Sequence, residues 1–306
     1  MRKRILYILI GMLAGLTSCS RQAYLFTGFH EPATDGLRLL YSYNGYTWKD
    51  MDTIFLKPQV GGQQVMRDPS MVQGPDGTFH LVWTSSWRND KGFGYAASKD
   101  LLHWSAQQLV PVMEGTDAVN TWAPEIFYDK AKQDYKIVWA SCIPGKFPKG
   151  LEEDSNNHRL YYTATKDFVS FSKTALFLDP GFSVIDAVIV PRKNQPYVLV
   201  LKDNTRPERD LKVATAEQLS GPWEHISPAF TTKLTEGPSV VKVGHQWLIY
   251  FDAYGQKTYE AVETGDFITF HPPSKKIIIP SGHKHGTIVP VKRKVVRDLL
   301  KQLNKS

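Results

Sequence analysis

The chain has 306 residues, 42% of them hydrophobic and 12% aromatic, and a formal net charge of +7. That much apolar material excludes a disordered chain and suffices for one large domain or two smaller ones. The charge sits at the ends, in Arg2-Lys3-Arg4 and in six Lys or Arg against one Asp over residues 292–306. The body is therefore near neutral, which excludes a nucleic-acid face spread across a domain.

Behind the basic head, Ile5 to Leu16 is an apolar run too short to span a bilayer, and Leu16-Thr17-Ser18-Cys19 follows it. The pattern resembles a bacterial signal peptide ending in a lipobox. On that resemblance residues 1–18 are the signal peptide, Cys19 is lipidated, and Ser20 is an outer-membrane address. The protein is then expected on the outer membrane, held there by its lipid. Cys142 is left without a partner, and its strand-like surroundings (Ile137-Val138-Trp139-Ala140-Ser141-Cys142) mark a buried, inert thiol.

From residue 23 onward the chain repeats itself. Met66-Arg67-Asp68-Pro69-Ser70-Met71-Val72 sets an acid at the head of an apolar run, turns at Gly74-Pro75-Asp76-Gly77, and continues as an aromatic-rich strand. The plan returns at Trp122-Ala123-Pro124-Glu125-Ile126-Phe127, at Val184-Ile185-Asp186-Ala187-Val188, and at Thr235-Glu236-Gly237-Pro238-Ser239. A second signature ends a strand, turns on polar residues and restarts at an aromatic. It occurs at residues 41–48, 97–104, 164–171, 214–223 and 263–270. Units of roughly fifty residues with several strands each predict the blades of an all-β propeller.

Five signatures but four acidic heads leave one blade without an inner strand. The segment from His285 to Val291 has strand character and no blade of its own. Joined to the strands before residue 43, it closes a five-bladed β-propeller over residues 23–291 and removes the exposed sheet edges. Ile143 to His158, rich in Gly, Pro, Asp and Asn, is expected as a long loop over one face. Residues 292–306 form a basic tail in which Val295, Val296, Leu299, Leu300 and Leu303 recur at helical spacing. The two expectations for that helix are docking beneath the propeller and lying on a membrane.

Inner strands run beside the propeller axis, so residues at their heads meet at one mouth. Asp68, Asp186, Glu236 and His285 are expected at comparable positions, with Glu125 two residues further along its strand. Carboxylates gathered in one pocket repel, and their proton affinities separate. A general acid and a general base need that separation.

Arg67-Asp68-Pro69, Trp122-Ala123-Pro124, Ile185-Asp186, Glu236-Gly237-Pro238 and His285-Gly286 resemble, in order, the motifs of glycoside hydrolase family 43, over roughly residues 60–291. The resemblance implies a glycosidase that inverts configuration at a furanoside or xyloside. It makes Asp68 the general base, Glu236 the general acid, and Asp186 the group that tunes and orients the acid. Such a pair stands roughly 6.5–9.5 Å apart to admit a water. His285 resembles an axial histidine facing a water-coordinated calcium ion, with a plain hydrogen-bonded histidine as the alternative; no cofactor is required. The chain departs from the pattern at Ala187-Val188-Ile189 and at Arg192-Lys193-Asn194-Gln195, where relatives carry a Pro/Phe pair and an acidic turn.

Trp87 and Trp122 are the expected sugar-stacking platforms, and Arg88, Glu125, Lys202 and Asp252 the expected polar contacts. The reading is an exo-acting enzyme releasing terminal arabinofuranosyl, xylosyl or galactofuranosyl units from polysaccharides. Its rival is a carbohydrate-binding propeller without turnover, which would have no use for Asp68, Asp186 and Glu236 together.

Overall fold

The computed structural model describes residues 22–305. The lipobox and Cys19 lie outside them. The described chain forms five antiparallel sheets arranged as blades. Blade 1 runs, from the axis outward, Ile288–Lys292, Gln22–Gly28, Arg38–Ser42 and Lys49–Asp50. Blade 2 is Arg67–Gln73, Phe79–Thr84, Phe93–Ser98 and Gln108–Val110; blade 3 is Trp122–Asp129, Asp134–Cys142, His158–Thr165 and Ala175–Leu178. Blades 4 (Val184–Val190, Tyr197–Asp203, Asp210–Ala216) and 5 (Glu236–Val243, Gln246–Ala253, Thr258–Thr264) have three strands each. The ring closes as the sequence predicts, with the C-terminal strand antiparallel to the N-terminal one through pairs such as Phe26 with Ile288.

Period-2 alternation explains the packing, because successive side chains of a strand face opposite neighbours. In blade 4, Val198 and Val200 join Ile249 and Phe267 of blade 5, while Leu199 and Leu201 join Val138 and Leu160 of blade 3. In blade 2, Val82 faces Ile137 and Trp139, whereas Leu81 and Trp83 face Leu25 and Leu39 of blade 1. The middle strands are therefore apolar on both faces. Each such side chain contributes about 1.5–3 kcal/mol on burial.

The recurrent signature is local turn chemistry. In Ser98-Lys99-Asp100 the Ser98 hydroxyl accepts the backbone N–H groups of Asp100 and Leu101, and Asp100 accepts those of Leu102 and His103. Thr165 with Asp167, and Thr264 with Asp266, repeat the arrangement. Short polar side chains bonding forward along their own backbone are what make such residues turn formers. The turn presses Leu101, Phe168 and Phe267 into the gaps between blades.

Glycine is required where the ring closes. A side-chain carbon on Gly286 would collide with the Thr27 carbonyl oxygen, and the Thr27 hydroxyl there accepts the Thr287 N–H at 2.8 Å. Gly286→Ala is expected to destabilise the fold by about 2–3 kcal/mol, read as a lower urea midpoint.

The helix Arg293–Leu303 docks beneath the propeller. Val296 and Leu299 are buried in the core that blades 1 and 2 share, and Val295, Leu300 and Leu303 pack against it. Among the described residues no helix is long and apolar enough to cross a membrane. Cys142 is buried and free.

Candidate active site

The heads of the inner strands share a second regularity. In blades 2 to 5 the register slips between Arg67 and Ser70, Trp122 and Glu125, Ile185 and Val188, and Glu236 and Ser239. Within each slip one residue is left-handed: Asp68 (φ 48°), Ala123 (45°), Asp186 (51°) and Gly237 (62°). Aspartate and glycine tolerate this region, and alanine does so at a cost. In a regular strand, consecutive side chains diverge. Here the bulge lets Arg67 with Asp68, Trp122 with Ala123 and Ile185 with Asp186 all line one cavity of about 280 Å³.

The same register corrects an expectation. Asp68 and Asp186 are equivalent, but Glu236 stands one position earlier, level with Arg67, Trp122 and Ile185. The four inner-strand residues therefore do not occupy one position. Asp68, Asp186, Glu236 and His285 nonetheless line the same cavity, because each of the two positions faces it.

Each acid has its own partners. Asp68 accepts a hydrogen bond from the Thr84 hydroxyl at 3.0 Å and faces His285 Nδ1 at 3.3 Å. Burial pushes the Asp68 carboxyl up, but the His285 and Arg67 charges outweigh it and hold the group below the usual carboxylate range. Burial likewise opposes charge on His285, yet Asp68, Asp186 and Glu125 together push its pKa up to about 9. The pair is thus carboxylate and imidazolium at neutral pH.

On the opposite side, Lys202 donates to Glu236 at 2.7 Å. Burial would raise Glu236, but the ammonium prevails and the group titrates below its ordinary value. Among the described residues no cation forms an ion pair with Asp186. Its Oδ2 accepts the Gly237 N–H at 3.0 Å, and burial raises its pKa despite His285 and Lys202. Asp186 thereby grips the backbone next to Glu236. A side chain on Gly237 would meet His285, its Cβ 2.7 Å away.

The rim is aromatic and charged. Trp87 is 45% exposed and tilts on Trp122, ring centres 4.8 Å apart, while Trp122 stacks on the buried His158 ring. Arg67 is sandwiched between Phe29 and Trp87, its Nη1 donating to both Glu31 oxygens at 2.7 and 2.9 Å. Asp252 pairs with Lys284 at 2.6 Å, and Tyr254 lies under the Lys202 ammonium.

Two expected polar contacts fall elsewhere. Arg88 lines a smaller neighbouring pocket beyond Trp122, with Asn120, Glu153 and Arg206. Glu125 lies two residues past the bulge, beneath the cavity floor, where its Oε2 accepts the Thr287 hydroxyl at 2.8 Å and burial lifts its pKa to about 7. Among the described residues no three His, Cys, Asp or Glu side chains are gathered to hold a metal ion. His285 Nδ1 faces Asp68 at 3.3 Å, so its Nε2 is the ring atom that would meet water around a calcium ion.

Phe29, Glu31, Arg209, Asn204 and Lys284 also line the cavity. They come from loops without repeat signatures. Lys284, next to His285, is the one that adjacency alone would have nominated.

Known structures share this architecture. An exo-β-1,3-galactanase from Phanerochaete chrysosporium, solved with β-1,3-galactotriose, superposes with a TM-score of 0.61 at 15% identity, over 85% of this chain and 63% of that one. A family 43 β-1,3-galactosidase solved with galactodeoxynojirimycin gives 0.57 at 14%, over 82% and 90%. An α-L-arabinofuranosidase from Lactobacillus brevis gives 0.50 at 14%, over 69% and 73%. At such identities the likeness is one of fold. No curated protein matches the chain. The profile of the glycosyl hydrolase 43-related family, described as "probable glycosyl hydrolase domain", matches residues 20–296. The chain belongs to that family, and its class of activity is glycoside hydrolysis.

Proposed function

We propose that the cavity performs an inverting, exo-acting hydrolysis, with Asp68 as general base, Glu236 as general acid and Asp186 as the group that sets the acid's position and charge. One observation carries this reading. The cavity gathers three acids from three blades, each held by a different partner: Asp68 by Thr84 and His285, Asp186 by the Gly237 N–H, and Glu236 by Lys202. Inversion needs the base and the acid on different sides of the sugar, with room for a water. Asp68 stands on blade 2 and Glu236 on blade 5, with blade 1 and its His285 between them. A water can then be held on one side of the sugar and the leaving oxygen on the other.

In this mechanism Asp68 removes a proton from water as its oxygen attacks the anomeric carbon, and Glu236 gives a proton to the departing glycosidic oxygen. The imidazolium of His285 keeps Asp68 ionised beforehand. The role of Lys202 follows from its contact. It pairs with the ionised acid in the empty cavity and must yield as Glu236 takes a proton and meets the substrate oxygen.

The sugar is proposed among terminal arabinofuranosyl, xylosyl, galactofuranosyl and, from the names of two structural neighbours, β-1,3-linked galactosyl units. Anchoring to the outer membrane through Cys19 remains part of the proposal and rests on the sequence pattern alone. Trp87 supplies the exposed stacking face, so Trp87→Ala is expected to raise KM about tenfold with a smaller effect on kcat, by initial-rate kinetics. The test of the whole reading is hydrolysis of an aryl glycoside panel covering these sugars, with Asp68→Asn and Glu236→Gln alongside. Turnover on one glycoside that collapses in both variants supports it. Turnover that persists in either variant removes that residue from its role.

A further inference from the structure

Five cationic side chains line the cavity: Arg67, Lys202, Arg209, Lys284 and His285. Four are matched to a carboxylate each, Arg67 to Glu31, Lys202 to Glu236, Lys284 to Asp252 and His285 to Asp68. Arg209 is the exception among the described residues. Its side chain has no ion pair, and its Nε is buried without a hydrogen-bond acceptor. Two other residues of the same cavity also carry a buried donor without an acceptor, Arg67 at Nε and Asn156 at Nδ2, but Arg67 has Glu31 as its counter-charge. Asn156 accepts the Asn204 amide through Oδ1 at 3.2 Å, which leaves its buried Nδ2 without an acceptor.

Arg209, Asn156 and Asn204 come from neighbouring blades. Asn156 sits in the short 3-10 turn Asp154–Asn156 of the long blade 3 connection, and Asn204 and Arg209 flank the hairpin between Tyr197–Asp203 and Asp210–Ala216 of blade 4. Ser183 and Asn204 are tied by a backbone hydrogen bond at 2.8 Å, so the wall is held from both sides. Buried donors left unpaired are costly, and they are normally met by protein, water or ligand. A neutral hydroxyl would satisfy one donor but leave the guanidinium without a counter-charge in a partly desolvated site. A carboxylate meets both needs, since its two oxygens match the planar guanidinium fork.

We propose that Arg209, with Asn156 and Asn204, binds an oxyanion carried by the glycan, so that the enzyme selects an acidic saccharide: one bearing a uronate carboxylate or a sulfate ester. This rests on the reading that the cavity binds glycosides. The oxyanion seats on the blade 3 and 4 wall, away from Asp68.

The test is calorimetric binding to the full chain at low ionic strength, using galacturonic acid against galactose, glucuronic acid against glucose, and galactose 6-sulfate. Each pair differs mainly in the charged group, so the ratio within a pair isolates it. At least one acidic sugar is expected to bind about tenfold more tightly than its neutral partner. That ratio falls below about twofold in Arg209→Met and stays intermediate in Arg209→Lys, which keeps the charge but loses the fork. Stronger binding of the sulfate than of either uronate assigns the oxyanion to a sulfated sugar. Equal affinity for charged and neutral sugars in the wild type, or a preference that survives in Arg209→Met, overturns the proposal. Should Arg209→Met fail to fold, Asn156→Ala and Arg209→Lys must each reduce the preference, or the proposal falls. Binding is read without turnover, so failure here is distinct from failure of the hydrolytic roles, which Glu236→Gln tests on aryl glycosides.

Discussion

Replacing Asp68 by Asn is expected to lower kcat/KM about a thousandfold on whichever glycoside the enzyme turns over, and Glu236→Gln is expected to do so selectively. The two losses should differ in kind. Asparagine at position 68 keeps the Thr84 hydrogen bond but cannot take a proton from water, so the loss is the same for good and poor leaving groups. Glutamine at 236 cannot donate a proton to the departing oxygen. Its cost is greatest with sugar or alkyl leaving groups and shrinks to about tenfold with a nitrophenolate, which departs unaided. Initial rates on a nitrophenyl glycoside and a matched disaccharide, for both variants, check this crossed pattern. Equal losses on both substrates in Glu236→Gln would take the acid's role away from it.

The second large effect concerns pH. Both Asp68 and Glu236 titrate below the usual carboxylate range in the free cavity, Asp68 through His285 and Glu236 through Lys202. Activity requires Asp68 ionised and Glu236 protonated. As pH rises, kcat/KM must fall once it passes the Glu236 pKa, which Lys202 has lowered; as pH falls, it drops on passing the Asp68 pKa. Both limbs are therefore expected on the acid side of neutrality. Lys202→Met removes the cation that opposes burial, so desolvation then governs Glu236 and its pKa rises. The alkaline limb of kcat/KM is expected to move up by about one to two pH units while the acid limb, set by Asp68, stays. An alkaline limb that stays in place in Lys202→Met would show that the contact does not govern the acid.

Much of this was legible in the sequence because it is written in local chemistry. The Ser98-Lys99-Asp100 turn and its copies bond to their own backbone, so the blade period appears as a repeated word. The acids were found for the same reason, since each heads an apolar inner strand. What escaped was the one-residue offset between Asp68 and Glu236. A left-handed bulge lets both positions face the cavity, and of the four bulge residues Gly237 advertises that conformation most plainly, while Ala123 gives no sign. Glu125 illustrates the consequence. Two residues beyond the bulge it turns under the floor, where an expected sugar contact becomes a buried carboxyl held by Thr287. Phe29, Glu31 and Arg209 reach the cavity from loops whose paths are set by packing between blades, and no spacing in the sequence records that. Arg88 is the reverse case, a residue beside the platform Trp87 that the intervening Trp122 walls off into another pocket.

The central claim is that two carboxylates on opposite sides of one cavity act together on a sugar held between them. The most direct test is proton NMR of the first-formed sugar anomer during hydrolysis of the best aryl glycoside by the wild-type protein. The account predicts that the anomer opposite to the substrate's configuration appears first and then mutarotates. The substrate's own configuration appearing first would contradict it, because retention needs a nucleophile at the anomeric carbon where this reading places a water. No hydrolysis across the panel, with polysaccharide binding intact in the wild type and in Asp68→Asn and Glu236→Gln, would contradict it as well.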